Sequence, residues 1–187
     1  MTIINRFINY LLVLLLTATL VSCGVDTTEL PPERPVGYVS GYAIDSAISN
    51  ATVSIYSFAN GKRGERLGVG LTNAVGAFSV TLQAESQLVM VEVTGGSYVE
   101  EASGVEVSLA DGQKLRSLVQ YENGQLVNTN VTPLTHMATA LAEYKIANGA
   151  GAAQAANEAF DVIDQFFQVN SRRTATLNIA VENPVDT

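Results

Sequence analysis

"VSGYAIDSAISNATVSIYSFANGKRGERLGVGLTNAVGAFSVTL", residues 39–82, alternates apolar and polar side chains in short runs broken by glycine, asparagine and aspartate. A period of two belongs to β-strands, whose successive side chains point to opposite faces of a sheet. "GYVSGYAID" (37–45) reads as a first strand, closed by the polar turn "DSAISN" (45–50). In "ATVSIYSF" (51–58), Val53 and Ile55 fall on one face and Tyr56 and Phe58 on the other. "ANGKRGER" (59–66) reads as a charged, glycine-containing turn. "LGVGLT" (67–72) and "GAFSVTL" (76–82) flank the turn "TNAVG", with Phe78, Val80 and Leu82 at strand spacing.

Further along, "QLVMVEVTGG" (87–96) is a continuous apolar run of the kind found in a strand buried on both faces. "VEVSL" (105–109), "DGQ" and "KLRSLVQY" (114–121) read as a further hairpin, and "QLVNTNV" (125–131) as a last strand. Seven or eight short strands at this spacing predict an antiparallel β-sandwich over residues 36–131, in a chain that is mainly β with α appended.

The strand–turn–strand pattern resembles the carboxypeptidase regulatory-like domain, a transthyretin-like sandwich. The positions that carry the likeness are Gly41, Asp45, Ala51, Val53, Thr72, Gly76 and Phe78. Each has a packing or turn reason, so the resemblance supplies no catalytic residue. The family turn usually has an aspartate near Asn73 and a polar residue near Val75, and this chain departs from it at both. In the resembled carboxypeptidases the domain accompanies a separate zinc-bearing catalytic domain, for which this chain has no room.

"VTPLTHMATALAEYKIANG" (131–149) is similar to a segment of bacterial surface proteins and lipoproteins that carry this sandwich, where "TPLT" opens a helix. The local chemistry agrees. Thr132 can cap, Pro133 fits the first helical position, and Asn148-Gly149 stops the helix. Leu134, Met137, Ala138 and Leu141 form one helical stripe, and Ala152, Ala156, Ala159, Phe160, Ile163, Phe166 and Phe167 form a second. Residues 132–168 are therefore expected to be a two-helix hairpin packed on itself and on one sheet, followed by an extended tail, 169–187. In the resembled proteins a stretch like Asn183-Pro184-Val185-Asp186 is followed by more chain.

At the other end, "MTIINR" carries positive charge and Phe7–Val21 is an apolar run of 15 residues. A membrane-spanning helix needs about 20, so the run is short for an anchor and suits a signal-peptide core. It ends in Leu20-Val21-Ser22-Cys23, which resembles the bacterial lipobox. That likeness implies a signal peptide over 1–22, recognition by the signal peptidase at Leu20, Val21 and Ser22, and covalent lipid on Cys23. An ordinary secretory signal or an uncleaved short anchor is the competing reading. Gly24, in place of the aspartate that resembles an inner-membrane retention signal, points to the outer membrane. Residues 23–35, with three prolines, then read as the lipidated cysteine and a stiff tether.

Composition excludes several functions. With ten basic against 18 acidic residues and a net charge of −8, the chain is ill suited to nucleic acid and to anionic headgroups. A single cysteine makes no internal disulfide, and a single histidine makes no two-histidine metal site. His136 lies opposite the stripe of Leu134, Met137 and Leu141, and no nucleophile-elbow motif accompanies it. Glu100, Glu101 and Glu106 are weak calcium candidates, with a solvated acidic loop as the plainer reading. Tyr38, Tyr42, Tyr56, Tyr98 and Tyr121 are candidates for a carbohydrate or peptide surface, or for the sandwich rim.

The expectation is a lipid-anchored bacterial envelope protein, not an enzyme. Its sandwich is a binding or scaffolding module, and its only attached group is the lipid on Cys23. The membrane would be reached through that lipid, with a protein or carbohydrate as ligand. The alternative is the anchor portion of a larger adhesin-like or carbohydrate-handling surface protein. A hydrolase or metal-dependent enzyme is the remote third.

Overall fold

The structure, a computed structural model, describes residues 33–110 and 112–172. Leu20, Val21, Ser22 and Cys23 lie outside these residues, as do most of the tether and of the tail.

The domain is mainly β with two C-terminal helices. Strands β1 (Gly37–Tyr42), β2 (Thr52–Ala59), β3 (Lys62–Leu71), β4 (Ala77–Leu82) and β5 (Gln87–Thr94) come first. The short β6 (Ser97–Val99) and β7 (Glu106–Ser108) follow, then β8 (Lys114–Tyr121) and β9 (Leu126–Asn128). Helices α1 (Pro133–Ala147) and α2 (Ala152–Phe167) complete the order. Seven strands form the two sheets of the sandwich, β4-β1-β9 and β3-β2-β5-β8, while β6 and β7 pair only with each other.

Three details differ from the sequence reading. The turn after β2 is only Asn60-Gly61, both at positive φ, so "KRGER" belongs to the strand and not to the turn. Such a two-residue connection matches the twist of the strands it joins. β7 pairs with β6, not with β8, because β8 instead runs antiparallel to β5 along its whole length. β9 leaves its sequence neighbour β8 and joins the other sheet, parallel to β1, with Val39 opposite Val127. Gly41 makes that approach feasible, since a Cβ there would collide with the Thr129 carbonyl oxygen.

One core lies between the sheets. Val39, Phe78, Val80 and Leu82 meet Val53, Ile55, Val89, Val91, Val93 and Tyr121 there. Fully burying each such side chain stabilises the fold by about 1.5–3 kcal/mol. Gly68 and Gly70 bring β3 close to β4, and a Cβ at Gly68 would stand 2.8 Å from the Leu82 and Val80 side chains. A second core forms on the outer face of the larger sheet. There Phe58, Met90 and Leu118 are covered by Ala138, Ala142, Ala156, Ala159, Phe160 and Ile163 of the helices. β5 is thus buried on both faces, as its unbroken apolar sequence predicts.

Thr132 caps α1 through a reciprocal box with Thr135, and Pro133 occupies the first turn. The buried face of α1 is Thr135, Ala138, Thr139 and Ala142, one position round from the predicted stripe, which leaves Met137 45% exposed. Small side chains are buried because this helix lies close to β8, where the Thr135 hydroxyl donates to the Arg116 carbonyl at 3.0 Å. On α2 the stripe holds at Ala156, Ala159, Phe160 and Ile163 but fails at Phe166 and Phe167, both exposed beyond the end of the sheet contact. Lys145 Nζ and Glu158 Oε2, 2.6 Å apart, tie the two helices together.

Candidate functional site

Charged side chains concentrate where the hairpin meets the larger sheet. Glu92 points to the helix side of β5 and is 7% exposed. Its Oε1 accepts from Arg63 Nη1 at 2.8 Å, and its Oε2 lies 3.2 Å from Lys114 Nζ without hydrogen-bond geometry. The Arg63 guanidinium sits 4.5 Å above the Tyr56 ring. Beside this group, Arg116 Nη1 on β8 donates to Glu143 Oε1 on α1 at 2.5 Å, both side chains being largely buried.

His136 stands next to that pair. Burial holds its pKa below the ordinary 6.5, Arg116 and Lys114 push the same way, and Glu143 opposes them. Its Nδ1 and the Nε of Arg116 are buried and have no hydrogen-bond partner among the described residues. The sequence reading of His136 as lying off the apolar stripe agrees with this half-buried place. Its neighbours are cations and a carboxylate, and a buried polar network of this kind fixes how the hairpin docks.

The three candidate calcium ligands are not gathered. Glu100 accepts from the Ser103 hydroxyl at 2.5 Å and Glu106 from the Ser97 hydroxyl at 2.6 Å; all three residues are exposed, Glu100 and Glu101 on the β6–β7 loop and Glu106 at the start of β7. Among the described residues no group of three or more His, Cys, Asp or Glu side chains could hold a metal ion. The tyrosines disperse as well. Tyr121 is fully buried, Tyr98 packs against the inter-sheet core, and Tyr56 lies beneath Arg63. Tyr38, 43% exposed, and half-buried Tyr42 share the outer face of the three-stranded sheet.

A cleft of about 350 Å³ opens along the seam where β8 and β9 part into different sheets and α2 crosses above them. Its apolar wall is Leu88, Leu118, Val119, Ala153, Ala156 and Phe160, and its polar groups are Gln120, Asn128, Thr129, Asn157 and Arg172. Arg172 guards one rim: it donates to the Asn157 carbonyl at 2.5 Å and to Asp161 Oδ1 at 3.0 Å, with its guanidinium 5.2 Å from the Phe160 ring centre. Its lining thus combines an apolar wall with a few polar groups, the composition common to small-ligand pockets. Sequence reasoning missed it, because its walls come from β5 and β8 of one sheet, β9 of the other and a helix, and the unforeseen departure of β9 opens the gap. Among the described residues no helix is long and apolar enough to cross a membrane.

No family model and no curated protein matches the chain. Among solved structures, a 9R-lipoxygenase from Cyanothece is similar over 65% of this chain and 19% of its own, at 13% identity and a TM-score of 0.34. A DUF3823 family protein from Parabacteroides merdae is similar over 53% of this chain and 46% of its own, at 11% identity and a TM-score of 0.32. The chain therefore spans less than half the length of either. Likenesses this remote carry nothing about its activity or ligand.

Proposed function

We propose that this chain is a lipid-anchored bacterial envelope protein whose carboxypeptidase regulatory-like sandwich is a non-catalytic binding module, with its ligand in the seam cleft. The observation that carries the binding part is the cleft itself, a space of about 350 Å³ with apolar walls and a rim of amide and guanidinium groups. The family reading is supported by the jobs its shared positions do. Thr72 Oγ1 accepts from the Ala51 amide at 2.9 Å, and Gly76, at φ +73°, closes the turn before Phe78. At the departure from the family turn, Asn73 Oδ1 accepts from the Val75 and Ala77 amides at 3.0 and 2.9 Å, the part an aspartate would play. The anchoring part rests on Leu20-Val21-Ser22-Cys23, and several acyl chains on one cysteine hold firmly at about 0.8 kcal/mol per buried methylene.

Two measurements test it. Radiolabelled palmitate fed to bacteria expressing the chain is expected to enter the wild-type protein and not Cys23→Ala; equal labelling of both overturns the anchor. For the cleft, an environment-sensitive apolar dye is expected to bind the folded domain. Ala153→Trp, which fills the space from the exposed side of α2, is expected to abolish that binding without lowering stability. Undiminished dye binding in this variant removes the cleft as the site.

A further inference from the structure

Among the described residues, the outer face of the three-stranded sheet carries no charged side chain. Strand alternation puts Val39, Gly41, Phe78, Val80 and Leu82 inward, so the outward positions are Tyr38, Ser40 and Tyr42 on β1 with their partners on β4 and β9. Tyr38 lies between Thr81 and Leu126, and Ser40 between Ser79 and Asn128. Thr81, Ser79, Leu126 and Asn128 are exposed. Every side chain in these rows is a hydroxyl, an amide, a phenol or a hydrocarbon. The contrast with the other sheet is sharp, since its outer face bears Arg63, Glu92, Lys114 and Arg116 and is covered by the helices. In a protein of net charge −8, solvent-facing strands would ordinarily carry part of that charge, and edge strands such as β4 and β9 would ordinarily be protected by it.

We propose that this face is a docking platform for a neutral oligosaccharide, meeting the seam cleft only at Asn128. Ionic groups must be desolvated when a ligand covers them, which costs several kcal/mol if they are left unpaired; here none needs to be. What remains are groups that exchange water for sugar hydroxyls at little cost. Ser40 Oγ donates to Asn128 Oδ1 at 2.6 Å, which orients that amide. The hydroxyls of Tyr38, Tyr42, Ser79 and Thr81 make no hydrogen bond among the described residues. Tyr38 and Tyr42 sit four positions apart on one strand, about 13 Å at the usual rise, so two rings flank a hydroxyl-and-amide row along a line. An extended glycan offers both features that this strip can read: flat C–H faces for the rings and hydroxyl edges for the row between them. A protein partner fits less well, because the fully buried centre of a protein interface is largely apolar, and apart from the two tyrosines this face offers only Leu126 and Ala77 among hydroxyls and an amide.

The test is native electrophoresis of the full chain in gels containing a soluble neutral polysaccharide (starch, hydroxyethylcellulose or mannan), with polygalacturonate as a charged counterpart. The wild type is expected to be retarded in at least one neutral gel and not by polygalacturonate. Tyr38→Ala is expected to bind about tenfold more weakly, the scale of one lost aromatic contact. Thr81→Lys is expected to abolish retardation, and Ala153→Trp to leave it intact. Both surface variants should melt with the wild type, because neither side chain is buried. Absence of retardation in all three neutral gels, retardation by polygalacturonate alone, or equal retardation of Tyr38→Ala and Thr81→Lys overturns the platform.

Discussion

Thr72 shows how one side chain can hold two strands in place. It is 3% exposed, its amide donates to the Ala51 carbonyl at 2.9 Å, and its hydroxyl accepts from the Ala51 amide at the same distance. Thr72→Val keeps the shape and removes the acceptor, stranding a buried N–H. The expected cost is about 1–3 kcal/mol, read as a lower urea midpoint at unchanged slope. His136 makes a second case. Its folded pKa lies below its unfolded value of 6.5, so protonation is easier in the unfolded chain. The sign follows: its contribution is fully present above 6.5 and is lost as pH falls from there through the lower folded value. Wild-type stability measured by urea unfolding is expected to fall across that window more steeply than that of His136→Gln; parallel slopes refute it. At this scale much was legible. Thr132, Pro133, Gly76 and Asn148-Gly149 are local signals, each acting within a turn of its own position, so the sequence carries the whole of their meaning.

Between elements, the junction of α1 with β8 is held by one charge pair over a bed of small side chains. Arg116 and Glu143 are 14% and 28% exposed, so removing either partner leaves a mostly buried charge uncompensated. Glu143→Ala is expected to destabilise by about 2–3 kcal/mol. The double variant Arg116→Met, Glu143→Ala should lose clearly less than the sum of the two single losses, and strict additivity in that cycle would show that the pair is not coupled. Partner choice was the part the sequence concealed. "VEVSL" looks as ready to pair with β8 as with β6, and the apolar alternation of "QLVNTNV" says nothing about which sheet it joins. The stripe of α1 misled for a related reason: hydrophobicity marks large side chains, while close contact with β8 selected Thr135, Ala138, Thr139 and Ala142. The Asn60-Gly61 hairpin, by contrast, was present as a strong local signal and was obscured by the charges of "KRGER" around it.

Across the whole domain, β5 is the shared wall of both cores. Val89, Val91 and Val93 face the inter-sheet core and Met90 faces the helices. The hairpin therefore cannot leave without exposing one side of the strand on which the sandwich depends. Helical circular dichroism and the tyrosine fluorescence of Tyr144→Phe, in which the described tyrosines that remain, fully buried Tyr121 among them, all lie in the β region, are expected to give coincident urea transitions. Separated midpoints would mean that the helices melt as an independent unit. The architecture was legible because strand and helix periods differ so plainly along the chain. The seam cleft was not, since it arises from a long-range pairing, with Ser40 and Asn128 meeting across 88 positions.

That pairing also decides how the domain bears load. Tension applied at the N-terminal end enters the fold through β1, the middle strand of its sheet, which is bonded to β4 on one flank and to β9 on the other. Pulled along its own axis, such a strand cannot be peeled away one bond at a time. Both ladders are sheared together, so the bonds share the force and must fail nearly at once. A domain held by its leading end is gripped by a strand bonded on both flanks.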